Sequence, residues 1–157
     1  MYKIGIIREG KVPSDARTPL APEQCKQILE QFPVELVVEP SEVRAYTDEE
    51  YLAQGITLST DLSDCDILLG VKEVPIHKLI PGKTYLFFSH TIKKQAQNRR
   101  LLQSILENKI RLIDYEKLTD EQGDRLIAFG FYAGLVGAHN AMWTYAKRTG
   151  IFSLPRM

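Results

Sequence analysis

The chain has 157 residues, 44% hydrophobic and 25% charged, which suits one globular domain with a sizeable core. Twenty basic residues balance twenty acidic ones, so no net field attracts nucleic acid or an anionic membrane. No apolar stretch approaches membrane-spanning length, and the sequence starts without a signal-peptide pattern. We therefore expect a cytoplasmic enzyme or binding domain whose partner is a small molecule rather than nucleic acid or a membrane; self-association into a homo-oligomer stays open.

Short apolar strands alternate with helices along the first sixty residues. Pro22 suits the first turn of a helix, where its missing N–H is no loss, and Pro33 ends that helix. Thr47 starts a capping box, and Gly55 is a suitable stop for the short helix that follows. The predicted elements are strands at 3–7, 35–39 and 56–58, and helices at 22–32 and 47–55.

The remainder of the chain continues this alternation. Segments 66–71 and 84–89 are near-continuous apolar runs, which fit strands covered on both faces. A turn at 120–124 predicts a hairpin that pairs 126–129 with the segment near Tyr115. The other predicted elements are a helix at 95–108, a strand at 110–113 and a long helix at 132–148. The pattern predicts an α/β fold: a mostly parallel sheet flanked by helices, Rossmann-like or flavodoxin-like, with a small β-hairpin excursion.

The two cysteines are predicted to pack in the core. Cys25 lies on an apolar stripe of a helix, and Cys65 comes just before a buried strand. The sequence contains no C-x-x-C pair and no Cys/His cluster, so we expect neither a disulfide nor a metal site.

Three reactive side chains follow predicted strands. Lys72 comes after 66–71, His90 comes after 84–89, and Arg17 lies in the loop after the first strand. Because ligands of parallel sheets bind beyond the carboxyl ends of the strands, we expect the three to share one site. Lys72 and His90 would act as general acid and base at a carbonyl or imine carbon, while Arg17 would grip a carboxylate. An α-keto or α-amino acid fits this set.

Each of the three also has a plainer interpretation. Lys72 is compatible with a solvated strand end, and His90 with a hydrogen bond to a backbone carbonyl. Arg17 is compatible with a surface ion pair to Asp15 or Glu9, which would contribute little. The agreement of three positions at strand ends favours the catalytic hypothesis.

Other polar residues are assigned to the surface or to packing. His77 is expected to be exposed in a loop, and His139 is interpreted as structural or interfacial. Lys93, Lys94, Arg99 and Arg100 are interpreted as the solvated side of a helix and its approach, and binding of an acidic ligand is the alternative.

The sequence carries no convincing nucleotide site of its own. The first strand leads into Arg8-Glu9-Gly10-Lys11, which is not the glycine-rich fingerprint of a dinucleotide fold. The glycines at 130, 134 and 137 lack the acidic ribose ligand that such a fingerprint has about 20 residues on.

At these residues the sequence resembles the N-terminal domain of the alanine dehydrogenase and transhydrogenase family. The opening Lys-Ile-Gly-Ile-Ile-Arg-Glu, the run Arg-Thr-Pro-Leu-Ala-Pro at 17–22, Val-Lys-Glu-Val-Pro at 71–75 and Phe-Ser-His at 88–90 carry this resemblance. More narrowly, the runs at 112–116, 120–125 and 128–134 resemble lysine-forming saccharopine dehydrogenases and the lysine–ketoglutarate reductase half of bifunctional enzymes. The resemblance covers nearly the whole chain.

The resemblance implies a role for each matching position. Lys72 and His90 match the family's acid–base pair, and Arg17 matches its substrate-carboxylate arginine. Glu116 and Arg125 match further substrate-cleft residues. The whole chain, 1–157, then corresponds to a single N-terminal, substrate-binding domain, and NAD or NADP would be bound mainly by a second domain that this chain lacks. The fragment alone is then expected to be inactive.

Three functions stay open at this point. The favoured one is the substrate-binding domain of an NAD(P)-dependent oxidoreductase that joins or separates lysine and 2-oxoglutarate through saccharopine. The second is an alanine dehydrogenase that acts on pyruvate and ammonia. The third is a non-catalytic module that binds an amino or keto acid. Two arginines, Arg17 and Arg125, favour saccharopine, which has three carboxylates.

Overall fold

The computed structural model describes residues 1–156 and contains a six-stranded sheet in which every strand pair is parallel. Its elements in chain order are β1 (Tyr2–Ile6), α1 (Pro22–Gln31), β2 (Val34–Val38), α2 (Asp48–Ala53), β3 (Thr57–Leu58), β4 (Ile67–Leu69), β5 (Thr84–Phe87), α3 (Arg99–Glu107), β6 (Arg111–Asp114) and α4 (Gly130–Thr149). The strand order β3-β2-β1-β4-β5-β6 confirms the predicted α/β class. It is the doubly wound order whose switch point lies between β1 and β4.

The sheet is covered by apolar side chains on both faces. In β2, Leu36 and Val38 belong to one core cluster and Val37 belongs to the other, as the two-residue period of a strand requires. The cluster of Leu36 includes Cys25 from α1, and the cluster of Val37 includes Cys65. The prediction that both cysteines are core residues is therefore confirmed.

The first two helices begin as their sequences predict. Pro22 stands in the first turn of α1, and the Gln24 side chain accepts a hydrogen bond from the Ala21 N–H at 2.8 Å. Before α2, Thr47 Oγ1 accepts from the Glu50 N–H at 3.3 Å and Glu50 Oε2 accepts from the Thr47 N–H at 2.6 Å. The predicted capping box is confirmed.

The helix predicted at 95–108 is shorter in the structure. Lys94 has a left-handed backbone (φ 53°), Gln95 is extended, and a 3-10 turn at Ala96–Asn98 comes before α3. The apolar stripe of this segment starts only at Leu101, so packing against the sheet stabilises only the later turns.

The chain divides into a first unit, residues 1–117, and a second unit from residue 118 onward. The second unit contains α4 and a short hairpin. Thr119 and Arg125 form an antiparallel bridge, and the Leu126 N–H donates to the Leu118 carbonyl at 2.9 Å. The hairpin partner is thus 118–119, whereas Tyr115 starts a 3-10 turn. Within residues 1–156, every helix is too short or too polar to cross a bilayer. The prediction of a single domain stays a prediction.

Candidate active site

Glu9 ties the carboxyl ends of β1 and β4 together at the switch point. Its Oε1 accepts a hydrogen bond from the Val71 N–H at 2.7 Å, and its Oε2 accepts one from the Lys72 N–H at 2.9 Å. Burial raises the pKa of the Glu9 carboxyl, and the two backbone hydrogen bonds offset that rise only in part. The carboxylate fixes the backbone from which the Lys72 side chain starts.

Arg17 lies in the loop between β1 and α1 and is paired with Asp15. Its Nε donates to Asp15 Oδ1 at 2.8 Å, and one terminal nitrogen donates to Oδ2 at 2.5 Å. The hydrogen bond from Arg17 is the main reason that the pKa of Asp15 falls to about 2, and the charge of Lys72 contributes. Arg17, Asp15, Glu9 and Lys72 form what we call the arginine–lysine cluster. A substrate carboxylate would compete with Asp15 for the guanidinium.

Glu73 connects Lys72, its neighbour in sequence, to His90. Its Oε1 lies 3.8 Å from His90 Nε2, and its Oε2 accepts a hydrogen bond from Lys11 Nζ at 2.6 Å. Burial alone would raise the pKa of Glu73, but Lys11 and His90 outweigh it and the net shift is downward. Glu73 is therefore held as a carboxylate beside the imidazole.

His90 follows β5 in a conformation that few residues adopt. Its backbone is left-handed (φ 55°), and its ring stacks on Phe88 with 6.5 Å between centroids. Nδ1 lies 3.1 Å from Glu116 Oε2. The imidazole thus has a carboxylate near each nitrogen, Glu73 at Nε2 and Glu116 at Nδ1.

Lys93 also reaches the Nδ1 side of His90. Its Nζ lies 3.0 Å from His90 Nδ1 and 3.3 Å from Glu116 Oε1. An ammonium only donates and a carboxylate only accepts, so Nδ1 bonds to Glu116 when it carries a proton and to Lys93 when it does not. Whether Nδ1 carries a proton therefore decides whether the imidazole bonds to Glu116 or to Lys93.

Glu116 is a buried carboxylate, with 7% of its surface exposed. Burial would raise the pKa of Glu116, but the hydrogen bonds from His90 and Lys93 outweigh this and lower it. We call His90, Glu116, Lys93 and Glu73 the histidine cluster. The resemblance matched Glu116 to a substrate-cleft residue, and in the structure it contacts His90 and Lys93.

The structure places four of the five predicted site residues in the first unit. Lys72 and Arg17 belong to the arginine–lysine cluster, and His90 and Glu116 belong to the histidine cluster. Glu73 joins the two clusters because it follows Lys72 and approaches His90. Arg125 lies in the second unit, in the bridge with Thr119.

Four charged residues of these clusters were absent from the predicted site. Glu9 and Asp15 were considered only as surface partners of Arg17, and Lys93 was assigned to the solvated side of a helix approach. The assignment of Lys93 is wrong in part: its ammonium is paired with His90 and Glu116, although the side chain is still 43% exposed. One feature of the sequence could have indicated Glu73 as a site residue, namely its position directly after Lys72.

A cavity of about 240 Å³ opens beside Lys72. The side chains that line it include the apolar Leu62 and Leu68, and also Tyr85 and the charged Lys72 and Glu73. The volume lies below the usual range for drug-sized ligands and suits a molecule of amino-acid size.

The residues after β1 do not fit a dinucleotide. Gly10 is the one glycine of this turn, and a Cβ built on it would lie 3.0 Å from the Pro75 ring. The turn is packed against the segment after β4, which leaves no open cradle of backbone N–H groups for a pyrophosphate at this turn.

Comparisons with known proteins agree with the resemblance of the motifs. The family model described as alanine dehydrogenase/PNT, N-terminal domain, matches residues 5–136. The mitochondrial alpha-aminoadipic semialdehyde synthase of Bos taurus is 47% identical over 128 residues, which cover 82% of this chain and 14% of that protein. The saccharopine dehydrogenase (NAD(+), L-lysine-forming) of Emericella nidulans is 33% identical over 150 residues, which cover 92% of this chain and 40% of that protein.

The fold is also found in solved structures. An L-alanine dehydrogenase superposes with a TM-score of 0.69 at 16% identity, over 93% of this chain and 40% of that chain. A transhydrogenase from Sinorhizobium meliloti gives a TM-score of 0.68 at 17% identity, over 89% of this chain and 43% of that chain. At such identities the likeness concerns the fold. The chain spans well under half the length of each of these proteins.

Proposed function

Because this chain belongs to the alanine dehydrogenase/PNT family, we propose that it binds the substrate of an oxidoreductase that acts on a C–N bond. The observation that supports this proposal is that Glu73 connects the arginine–lysine cluster to the histidine cluster. Lys72 and His90 follow the adjacent strands β4 and β5, and Glu73 spans from one to the other. Two proton-carrying groups at one sheet edge suit an imine or carbinolamine, which gains and loses protons on both N and O.

We assign the proton transfers to Lys72 and His90. When an amine adds to a keto carbon, one group takes the proton that leaves nitrogen and the other gives a proton to the oxygen. When water then leaves, the carbinolamine oxygen takes a second proton. A nicotinamide cofactor would supply or accept the hydride, and since the turn after β1 does not fit a dinucleotide, we assign no residue of this turn to it.

The substrate carboxylate is assigned to Arg17. Its guanidinium is planar and already makes a two-point contact with Asp15, so a carboxylate of the substrate can take the same geometry. Displacement of Asp15 would leave that anion nearer to Lys72, whose charge already acts on it. Arg125 is proposed as a second carboxylate contact.

We propose lysine and 2-oxoglutarate, or saccharopine in the reverse direction, as the substrates. The alpha-aminoadipic semialdehyde synthase of Bos taurus and the saccharopine dehydrogenase of Emericella nidulans support this choice, at identities of 47% and 33%. The cavity beside Lys72 is lined by both apolar and charged side chains, which supports a substrate that has an aliphatic chain and charged ends.

The deciding experiment follows NADH and NADPH oxidation by the protein as its gene encodes it. Lysine plus 2-oxoglutarate is compared with pyruvate plus ammonia. Turnover only with the first pair is the expected result. Turnover only with pyruvate and ammonia would assign the alanine dehydrogenase reaction instead. Saturable binding of 2-oxoglutarate without turnover of either pair, even when the NAD(P)-binding half of a relative is supplied, would assign a non-catalytic binding module.

We also propose a cytoplasmic location. The two buried, unpaired cysteines are compatible with a reducing compartment. The name of the Bos taurus relative places that protein in mitochondria. Fractionation of the native cells, with the chain found in the organelle fraction, would overturn the proposal.

A further inference from the structure

Asp114, the last residue of β6, uses both of its carboxylate oxygens within the first unit. Its Oδ2 accepts a hydrogen bond from Ser89 Oγ, and its Oδ1 accepts one from the Glu116 N–H at 2.9 Å. Ser89 is fully buried, so this contact is shielded from water. One side chain therefore holds the residue before His90 and the backbone of the carboxylate that faces His90.

Ser89 extends this support to the other side of His90. Since the Ser89 proton goes to Asp114, the oxygen accepts from its other neighbours: the Thr91 N–H at 3.1 Å and the Thr91 hydroxyl at 2.8 Å. The residues on both sides of His90 are thus tied to one carboxylate.

The backbone of His90 needs such support. A left-handed backbone (φ 55°) at a residue other than glycine is strained and persists where the surroundings impose it. Asn98 contributes as well, because its side-chain N–H donates to the His90 carbonyl at 3.1 Å. Phe88, which directly follows β5, stacks on the ring.

We propose that Asp114 is a positioning residue that sets the proton position on His90. Asp114 supports both partners of the contact between His90 Nδ1 and Glu116 Oε2. It holds His90 through Ser89, the residue before it, and it holds Glu116 through the Glu116 backbone N–H. The charged groups that face the imidazole are Glu116 and Lys93 at Nδ1 and Glu73 at Nε2. With Glu116 held there, its Oε1 serves as the acceptor for Lys93 at 3.3 Å, while Nδ1 keeps its proton and donates to Oε2 at 3.1 Å. Nε2 is then the nitrogen that exchanges a proton with the substrate, a consequence that rests on the proposed function.

The test measures the imidazole tautomer of His90 directly. Nitrogen-15 chemical shifts of the ring distinguish Nδ1–H from Nε2–H in the substrate-free chain. We expect Nδ1–H in the wild type. Asp114→Asn has one acceptor oxygen instead of two, so it should shift the ratio toward Nε2–H by at least about threefold, the size expected when one hydrogen bond weakens.

Asp66→Asn is the matched control. Asp66 Oδ2 accepts a hydrogen bond from the Lys3 N–H at 2.8 Å, at the opposite end of the sheet from His90. This variant loses a comparable acceptor and should leave the tautomer unchanged. If Asp114→Asn does not fold, Ser89→Ala removes the Ser89 side of the support, together with its bonds to Thr91, and leaves the bond from Asp114 to the Glu116 N–H; it should cause a shift in the same direction. A wild-type ratio in the folded Asp114 variant, or in Ser89→Ala where that variant stands in for it, overturns the proposal.

Turnover separates this proposal from the function on which it rests. In the complete enzyme, Asp114→Asn should lower kcat with little change in KM. A shifted tautomer with unchanged turnover would remove His90 from the reaction and leave the positioning role of Asp114 intact. An unchanged tautomer would remove the positioning role whatever the turnover.

Discussion

Two carboxylates of the first unit, Glu9 and Glu116, are both partly or fully buried, yet their pKa values shift in opposite directions. Glu9 accepts from two backbone N–H groups, and burial raises its pKa. Glu116 has the imidazole of His90 and the ammonium of Lys93 as partners, and its pKa falls. Hydrogen bonds from neutral backbone amides offset only part of the pKa rise that burial causes. Hydrogen bonds from side chains that carry a positive charge can lower the pKa by more than burial raises it. Glu9 is therefore a structural clamp, whereas Glu116 is paired with the imidazole to which we assign a proton transfer.

The largest expected effect is a loss of turnover without a comparable loss of stability. Lys72→Met and His90→Gln remove the two proton carriers, and each should lower turnover in the complete enzyme by roughly 10²–10⁴-fold. The free energy of unfolding should change little, because both side chains are partly solvated. Steady-state rates and urea unfolding measure the two quantities. Wild-type turnover in both variants would remove their assigned roles.

The second effect concerns the clamp. Glu9→Ala leaves the N–H groups of Val71 and Lys72 without their acceptor, so the free energy of unfolding at pH 7 should fall by about 2–3 kcal/mol. Glu116→Ala should cost less, because His90 and Lys93 can turn their polar atoms to water. Glu107→Ala, at the exposed end of α3, is the control and should stay within about 0.5 kcal/mol of wild type. Equal losses at Glu9 and Glu116 would contradict the comparison.

The third effect is the sign of the pH dependence. The raised pKa of Glu9 means that the folded state holds this proton more tightly, so its contribution to stability falls as pH rises above the ordinary glutamate value. The lowered pKa of Glu116 gives a contribution that is complete above the ordinary value and is lost as pH falls below it.

Urea unfolding between pH 3 and pH 7 measures these slopes. Relative to wild type, Glu9→Gln should steepen the rise of stability with pH, and Glu116→Gln should flatten it. The same change of slope in both variants would show that the two carboxyls do not differ as described.

The smallest effect belongs to the partly exposed pair of Arg17 and Asp15. Asp15→Asn should lower the free energy of unfolding at pH 7 by no more than about 1 kcal/mol, because water reaches the guanidinium and screens the pair. Since the pKa of Asp15 is held at about 2, its contribution is complete above the ordinary aspartate value and disappears as pH falls toward 2. Thermal unfolding at pH 7 and pH 2 measures this. A difference from wild type that persists unchanged at pH 2 would assign the effect to packing.

The sequence predicted the sheet well because its signals are local. Apolar runs at 66–71 and 84–89 indicated buried strands, and the helix starts at Pro22 and Thr47 have short-range signatures. The hairpin partner was misplaced, since a turn sequence fixes the bend but not which residues pair across it.

The site was predicted only where position along a strand was enough. Lys72 and His90 follow strands, so the general rule for parallel sheets assigned them to the candidate site. Lys93 was misassigned in part because its partners, His90 and Glu116, come together only after the 3-10 turn at Thr91–Lys93 and the end of β6 are in place.

The strands, the helix starts and the positions of Lys72 and His90 after two of those strands were thus predictable from the sequence, since each depends on residues within a few positions of one another. The protonation of the site was decided by the tertiary structure. Glu9 meets Val71 and Lys72 across more than sixty residues, and Glu116 meets His90 across twenty-six. The pKa of a buried carboxyl depends on which donors surround it, and that environment exists only in the folded chain.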